Sequence, residues 1–265
     1  MNISQVYAVY FSATGNTRKV TTTLANALAV SFDVPLEVRD FTLPAAREEA
    51  YEFAAGDLVV FGMPTYAGKL PNKLLDFLKS GFHGNGALAV PVVTFGNRSF
   101  DNSLAELCAC LEGDGFHTIG AGAFACRHAF TDALANGRPD SDDMAELAKL
   151  GSAVVGRIVR MTEYPAPVTV DGPYYRPLGL DGEPKVFLKA KPKTDLDKCI
   201  HCGVCASLCP MGSINPDDVT EVVGVCIKCH SCVRNCPMGA KYFDDPAFLS
   251  HRAMLERDYT RRAED

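Results

Sequence analysis

The chain contains no tryptophan, no apolar run long enough to span a bilayer and no excess of basic residues. Each absence excludes something. Without an uninterrupted apolar stretch of about 20 residues, no membrane-spanning helix is expected. With 26 lysines and arginines against 32 aspartates and glutamates, for a formal net charge of -6, neither half offers the basic face that nucleic acid requires. A mildly acidic surface instead suits docking on the basic face of a redox partner. The chain opens without a charged, then apolar, signal segment, so Asn2-Ile-Ser4 and Asn97-Arg-Ser99 are glycosylation sequons in form only. Gly120-x-Gly122-x-x-Ala125 has the letters of a dinucleotide fingerprint, but it falls inside a predicted strand with no helix opening directly behind it, and it is discounted.

What the chain does have is cysteine. Eight of its eleven fall in two runs, Cys199-Ile-His-Cys202-Gly-Val-Cys205-Ala-Ser-Leu-Cys209-Pro210 and Cys226-Ile-Lys-Cys229-His-Ser-Cys232-Val-Arg-Asn-Cys236-Pro237. Both have the C-x2-C-x2-C-x3-C-P spacing by which bacterial two-cluster ferredoxins hold cubic iron-sulfur centres. A tight loop wraps three thiolates round one cube, and the fourth cysteine is expected to start a helix pointing at the other. One 4Fe-4S cluster is thus assigned to Cys199, Cys202, Cys205 and Cys236, and the second to Cys226, Cys229, Cys232 and Cys209. Structural zinc takes two ligand pairs across a longer loop and fits this spacing poorly. Disulfides do not suit a chain without a signal segment, so the expected compartment is a reducing, low-oxygen cytoplasm. The segment from about Lys198 to Phe243 is too small to fold on apolar burial alone, so the clusters are expected to act as its core.

The front of the chain reads differently. Gln5 to Phe11, Pro35 to Asp40, Asp57 to Met63, Ala87 to Phe95 and Phe116 to Phe124 read as buried strands. Helical patterns lie between them at Arg18 to Phe32, Asn72 to Leu78 and Asn102 to Glu112, and a long one follows over Asp140 to Met161, capped by Asp140 or Ser141. Alternating strands and helices imply an α/β fold with a five-stranded parallel sheet covered on both faces, whose ligands sit beyond the carboxyl ends of the strands. Directly after the first strand comes Ser12-Ala13-Thr14-Gly15-Asn16-Thr17, a hydroxyl-rich turn at a helix N-terminus. Such a turn suits a phosphate, although plain capping by the same residue types is the simpler alternative.

That turn resembles the S/T-x-T-G-x-T phosphate loop of flavodoxins, which hold FMN. Together the two halves resemble the bacterial and archaeal family in which a flavodoxin-like domain is fused to a small α+β two-cluster ferredoxin domain. The stretches Gly96-Asn-Arg-Ser-Phe-Asp-Asn102, Phe124-Ala-Cys-Arg-His-Ala-Phe130 and Gly137-Arg-Pro-Asp140 carry this likeness further. The resemblance implies noncovalent FMN, with phosphate at Ser12, Ala13, Thr14, Gly15, Asn16 and Thr17. The loops Pro64, Thr65, Tyr66, Ala67, Gly68 and Gly96, Asn97, Arg98, Ser99, Phe100 would flank the isoalloxazine ring. Tyr66, alone or with Phe100, stands in for the indole that many flavodoxins stack on their flavin. Either aromatic equally suits a cover over the end of the sheet. His128, beside Arg127, is a candidate donor to the ring's anionic edge.

The chain thus divides into residues 1–164, flavodoxin-like; 165–197, a connecting segment with six prolines; 198–246, the ferredoxin domain; and 247–265, a helical tail that reads as solvated. Tyr174, Tyr175 and Arg176 suggest that the connecting segment packs along a domain face, against the alternative of a loose linker. His201 and His230 read as exposed spacers in the cluster loops, while Cys108 and Cys110 read as buried small hydrophobes. Cys126 has no neighbouring base. The leading functional expectation is an electron relay between FMN, two 4Fe-4S clusters and a redox partner protein, either a ferredoxin-type donor or a terminal reductase. The alternatives are an FMN-dependent reductase of a small oxidised substrate fed by its own clusters, and an empty docking module. Oligomeric state stays open.

Overall fold

The computed structural model describes residues 2–167 and 172–264. Its N-terminal part is built on a parallel sheet of β1 (Gln5–Tyr10), β2 (Leu36–Asp40), β3 (Asp57–Pro64) and β4 (Leu88–Phe95), with β5 (His117–Thr118) and β6 (Gly122–Ala125) one after the other along β4. The order is β2-β1-β3-β4-β5/β6, so the chain reverses its direction of growth between β1 and β3. This is the doubly wound, flavodoxin-like order, with its ligand crevice at the carboxyl ends of the two strands that flank the reversal. β4 is buried along its whole length, as expected of a central strand covered on both faces.

Three helices show how local sequence sets the scaffold. α1 (Asn16–Phe32) turns Val20, Leu24 and Leu28 inward, and stops at Asp33, which takes a left-handed conformation with φ 54. α2 (Ser103–Gly113) covers the opposite face with Leu107 and Leu111 buried. α3 (Ser141–Arg160) starts on a reciprocal capping box between Asp140 and Asp143, and ends on Arg157 and Arg160, which complement its dipole. The expected strand over Phe116 to Phe124 is broken after Thr118. The glycines that resembled a dinucleotide fingerprint serve helix packing instead: a Cβ on Gly120 would lie 2.9 Å from Val154, and one on Gly122 would lie 2.8 Å from Leu150. The expected helix over Asn72 to Leu78 is a 3-10 turn, Asn72–Leu74, running into Leu75–Leu78.

The C-terminal part is held by β7 (Lys193–Thr194) pairing antiparallel with β8 (Lys241–Tyr242), with two short helices, α4 (Val204–Ser207) and α5 (Ser231–Arg234), between them. Each short helix contains the third cysteine of a run, so the fourth cysteine follows a helix instead of starting one. The left-handed residues Gly203 and His230 make the tight entry into these helices. β7 begins inside the segment expected to connect the halves. α6 (Pro246–Asp258) is not solvated: Phe248, His251, Met254 and Leu255 are buried, with Leu134 packed beside Met254 and Leu255. Its charges hid an apolar face that only its neighbours complete. Among the described residues no helix is long and apolar enough to cross a membrane.

Candidate functional site

The eight motif cysteines sort into two cavities. One is lined by Cys199, Cys202, Cys205 and Cys236; the other by Cys209, Cys226, Cys229 and Cys232. Each set takes three cysteines from one run and the fourth from the other. The two fourth cysteines are held alike: the Ser213 N–H donates to Cys209 Sγ at 3.3 Å, and the Ala240 N–H donates to Cys236 Sγ at 3.2 Å. Burial pushes the Cys232 thiol up to about 12, with the neighbouring Cys226 adding to the shift. It raises Cys229 further still, with help from Cys232, Cys226 and Cys209. Thiols crowded in this way cannot all ionise without bound cations, so the four-thiol donor set of each cavity fits a cubic cluster. Among the described residues no three Cys, His, Asp or Glu side chains come close enough to hold a single ion.

At the first flavodoxin-like loop, Gly15 takes φ 90 with open space where a Cβ would stand, a cradle beside the first-turn N–H groups of α1. This arrangement fits a phosphate. Ser12 is braced on both sides, its N–H donating to Thr42 Oγ1 at 2.8 Å and its Oγ accepting from the Arg18 N–H at 3.0 Å. Asn16 donates through its side chain to the Arg127 carbonyl at 3.0 Å. Thr17 is buried and shares a 2.8 Å hydrogen bond with Thr94 inside the sheet. Ala13 packs against the core cluster, and Thr14 is half-buried.

The second loop carries Pro64, Thr65, Tyr66, Ala67 and Gly68 at the end of β3. Thr65 is tied to Ser103 by a 2.7 Å hydroxyl pair. Tyr66 is half-buried, and its pKa stands well above the usual value through burial first, then the charges of Cys229 and Cys226. This flavin-loop tyrosine thus adjoins one cysteine cavity. Ala67 accepts from the Tyr175 N–H at 2.8 Å, and the Arg98 guanidinium lies 3.7 Å from the Tyr175 ring centre. The connecting segment therefore packs along the flavodoxin-like half, as its tyrosines suggested. Gly68 leaves room for Asp101, which pairs with Arg98.

The third loop is occupied in a way that the sequence did not signal. Asn97, buried with φ 71, donates through its amide to the carbonyls of Tyr259 at 2.6 Å and Arg261 at 2.9 Å, and accepts from the Ala263 N–H at 3.2 Å. Arg138 donates to the Ala263 carbonyl at 2.7 Å, while Arg262 bonds Asp140 and Asp143. The C-terminal tail thus lies across the loop expected to hold the ring's edge, and the Asn97 side chain is committed to it. Ser99 Oγ accepts from the Asp101 N–H at 3.0 Å, and Phe100 packs on Phe95 with ring centres 5.6 Å apart.

His128 and His230 flank the Phe130 ring at the join between the halves. A Cβ on Gly96 would stand 2.3 Å from the His128 ring, so glycine is required there. His128 Nδ1 accepts from the Phe130 N–H at 3.0 Å, and the Phe130 ring lies 5.0 Å from His128 and 4.7 Å from His230. His230 is buried and stacks on Phe243, contrary to its reading as an exposed spacer, whereas His201 is exposed. Burial lowers the pKa of both His128 and His230 to about 3, with nearby cationic groups adding to it. Arg234 crosses the join, donating to the carbonyls of Ala129 at 2.9 Å and His128 at 2.8 Å and pairing with Asp132 at 2.6 Å. On the other side Arg47 donates to the Pro210 carbonyl at 2.5 Å. Cys108, Cys110 and Cys126 are buried.

Residues 191–237 match the family described as a 4Fe-4S dicluster domain. No curated protein matches the chain. Among solved structures, the flavodoxin of Streptococcus pneumonia TIGR4 is 15% identical, covering 58% of this chain and 99% of its own, with a TM-score of 0.43. A short-chain flavodoxin associated with a non-canonical PDU bacterial microcompartment is 17% identical over 59% of this chain and 98% of its own, with a TM-score of 0.42. The rubredoxin oxygen:oxidoreductase of the anaerobe Desulfovibrio gigas is 14% identical over 60% of this chain and 37% of its own, with a TM-score of 0.39. The N-terminal sheet thus has the doubly wound strand order of a flavodoxin-like fold, and a segment matching the 4Fe-4S dicluster domain follows it.

Proposed function

We propose that this chain is an electron-transfer protein that binds FMN on its flavodoxin-like half and two 4Fe-4S clusters on its ferredoxin half, and relays electrons between them and a separate redox protein. The observation that carries the reading is that Met211 and Ile227, which line the Cys209/Cys226/Cys229/Cys232 cavity, pack on the core of the flavodoxin-like half. When bound, a flavin exchanges a pair of electrons in single steps and each cluster exchanges one, so a chain with both converts between the two. The residues of this chain supply position and exclude water. Gly15 and the α1 N-terminus cradle the phosphate, and Thr14 is the loop hydroxyl with most freedom to donate to it. Tyr66, half-buried in the second flavin loop, lies near enough to Cys229 and Cys226 to feel their charge. Arg234 and Arg47 pin the two halves at opposite ends, so their separation does not vary with a swinging linker.

The test is an anaerobic stopped-flow experiment on protein loaded with flavin and clusters. A low-potential one-electron donor is expected to bleach the cluster absorbance first and the flavin absorbance after it, with nicotinamides reacting slowly or not at all. A flavin whose absorbance never responds to the clusters defeats the relay. Rapid, saturable reduction by NADH or NADPH points to a reductase instead.

A further inference from the structure

We propose that the outer wall of the Cys209/Cys226/Cys229/Cys232 cavity is a docking surface for a one-electron carrier protein with an acidic face. This rests on the relay reading and adds where, and by what chemistry, the partner is met. The wall is made where residues 188–191 cross the loop 222–228. The Lys191 ammonium donates to the Val222 carbonyl at 2.6 Å, and the Lys228 ammonium donates to the Leu188 carbonyl at 2.5 Å and the Cys226 carbonyl at 3.1 Å. Ala190, buried against Phe243 and Phe248, anchors the crossing from below.

The outward side of that crossing is apolar and cationic. Leu188 is 82% exposed, Val223 70% and Val225 51%. Lys189 and Lys191 stand exposed beside them, and among the described residues neither these lysines nor Lys228 is paired with a carboxylate. Lys185 and Lys193, on either side in sequence, are both neutralised, by Asp181 and Asp244. In a chain of net charge -6, two exposed lysines without a carboxylate partner, Lys189 and Lys191, beside exposed aliphatic side chains are a local reversal of sign, whereas the half-buried Lys228 feels Asp245. An exposed apolar centre with a charged rim is the anatomy of a protein-protein interface, and its sign selects an acidic partner, not the basic one that the overall charge suggested. Val222, Val225 and Cys226 line the cavity from within, so a carrier seated on this wall is one layer of side chains from the thiols. That adjacency to the cysteine cavity favours a redox protein over an anionic lipid surface. The exchange moves one electron and no atoms: the carrier is oxidised by one electron as the centre behind the wall is reduced by one, or the reverse.

The experiment uses full-length protein loaded with flavin and clusters, with two purified carriers as probes: an acidic bacterial-type ferredoxin and a basic cytochrome c. Reduced ferredoxin is expected to react with a second-order rate that falls as salt rises, because opposite charges steer the encounter. Lys189→Glu together with Lys191→Glu should lower that rate at least tenfold at low salt and flatten its salt dependence, with iron content unchanged. Because Lys191 also braces the loop, Lys189→Glu alone is measured too, and should give a smaller loss of the same kind. A double variant that reacts like the unaltered protein, or a cytochrome rate that is faster and falls in the variant, overturns the proposal. So does loss of binding to phosphatidylserine vesicles with the ferredoxin rate intact, which would make the wall a lipid contact. Failure of the relay reading shows separately, as flavin and clusters that do not equilibrate after photoreduction in the absence of any carrier.

Discussion

Thr17 and Cys209 show how a single residue can be legible in kind and not in role. The hydroxyls of the 12–17 turn were all candidates for phosphate, yet Thr17 faces Thr94 in the sheet and Thr14 does not. The two are therefore separable. Thr17→Val keeps the shape but leaves the Thr94 hydroxyl buried without a partner, which should cost about 1–3 kcal/mol in a denaturant titration. Thr14→Val should leave that midpoint in place and weaken FMN binding at least tenfold, in keeping with about 1.5–3 kcal/mol for a hydrogen bond to a charged group. Equal effects of both variants on flavin affinity would return Thr17 to the phosphate. Cys209 was assigned across the motifs from spacing alone, and it lines the cavity of the second run. Cys209→Ser should alter the electron paramagnetic resonance signal of the centre held with Cys226, Cys229 and Cys232. Damage to the Cys199/Cys202/Cys205 centre alone contradicts the crossing.

At the scale of elements, the tail is where reading by pattern failed. The final segment mixes arginines and acids, and nothing in its sequence says that Asn97, more than 160 positions earlier, will accept and donate to its backbone. Backbone recognition leaves no trace in side-chain identity. Removing the amide by Asn97→Ala deletes three hydrogen bonds of about 0.5–1.5 kcal/mol each, so the Ala263 amide should exchange its hydrogen at least tenfold faster. A second hold is electrostatic: the Arg262 hydrogen bond keeps the Asp140 carboxyl far below its usual range, and Asp140 in turn raises Arg262. A depressed carboxylate contributes above its ordinary pKa of about 4 and loses that contribution as pH falls through the folded value. Tail protection should therefore be flat through neutral pH and fall only in strong acid. Loss of protection already near neutrality would mean that Arg262 does not hold the tail.

For the whole molecule, the join between the halves is the feature with the largest consequence. His230 is buried there and His128 half-buried, and burial lowers the pKa of each ring to about 3. Unfolded, each takes up a proton at about 6.5, so the unfolded chain binds protons first as the medium is acidified. Their effect on stability is thus absent above about pH 6.5 and destabilising below it, by about 1.4 kcal/mol per pH unit for each ring until the folded values are reached. Denaturant midpoints of the loaded protein should decline from pH 7 to 5, and His230→Phe, which keeps a ring against Phe243, should make that decline shallower. An identical slope in the variant would show that His230 is not neutral in the folded state.

The sequence by itself determined the iron-sulfur character of residues 191–237 and the layout of strands and helices. Thiolate spacing is a local property, and so is the alternation of buried strands and amphipathic helices, because both are written within a few residues of each other. Helix α1, the Asp140 cap and strand β3 lie within a residue or two of where their patterns placed them. What only the tertiary structure decided was everything that joins segments distant in the chain. Tyr66 came to adjoin Cys229, His230 became buried, the charged tail acquired a docked face, and a net acidic protein kept a patch of lysines over one cavity. The physical reason is that burial and local charge depend on what packs against a residue, and packing partners are chosen by the fold as a whole and not by the neighbours in sequence.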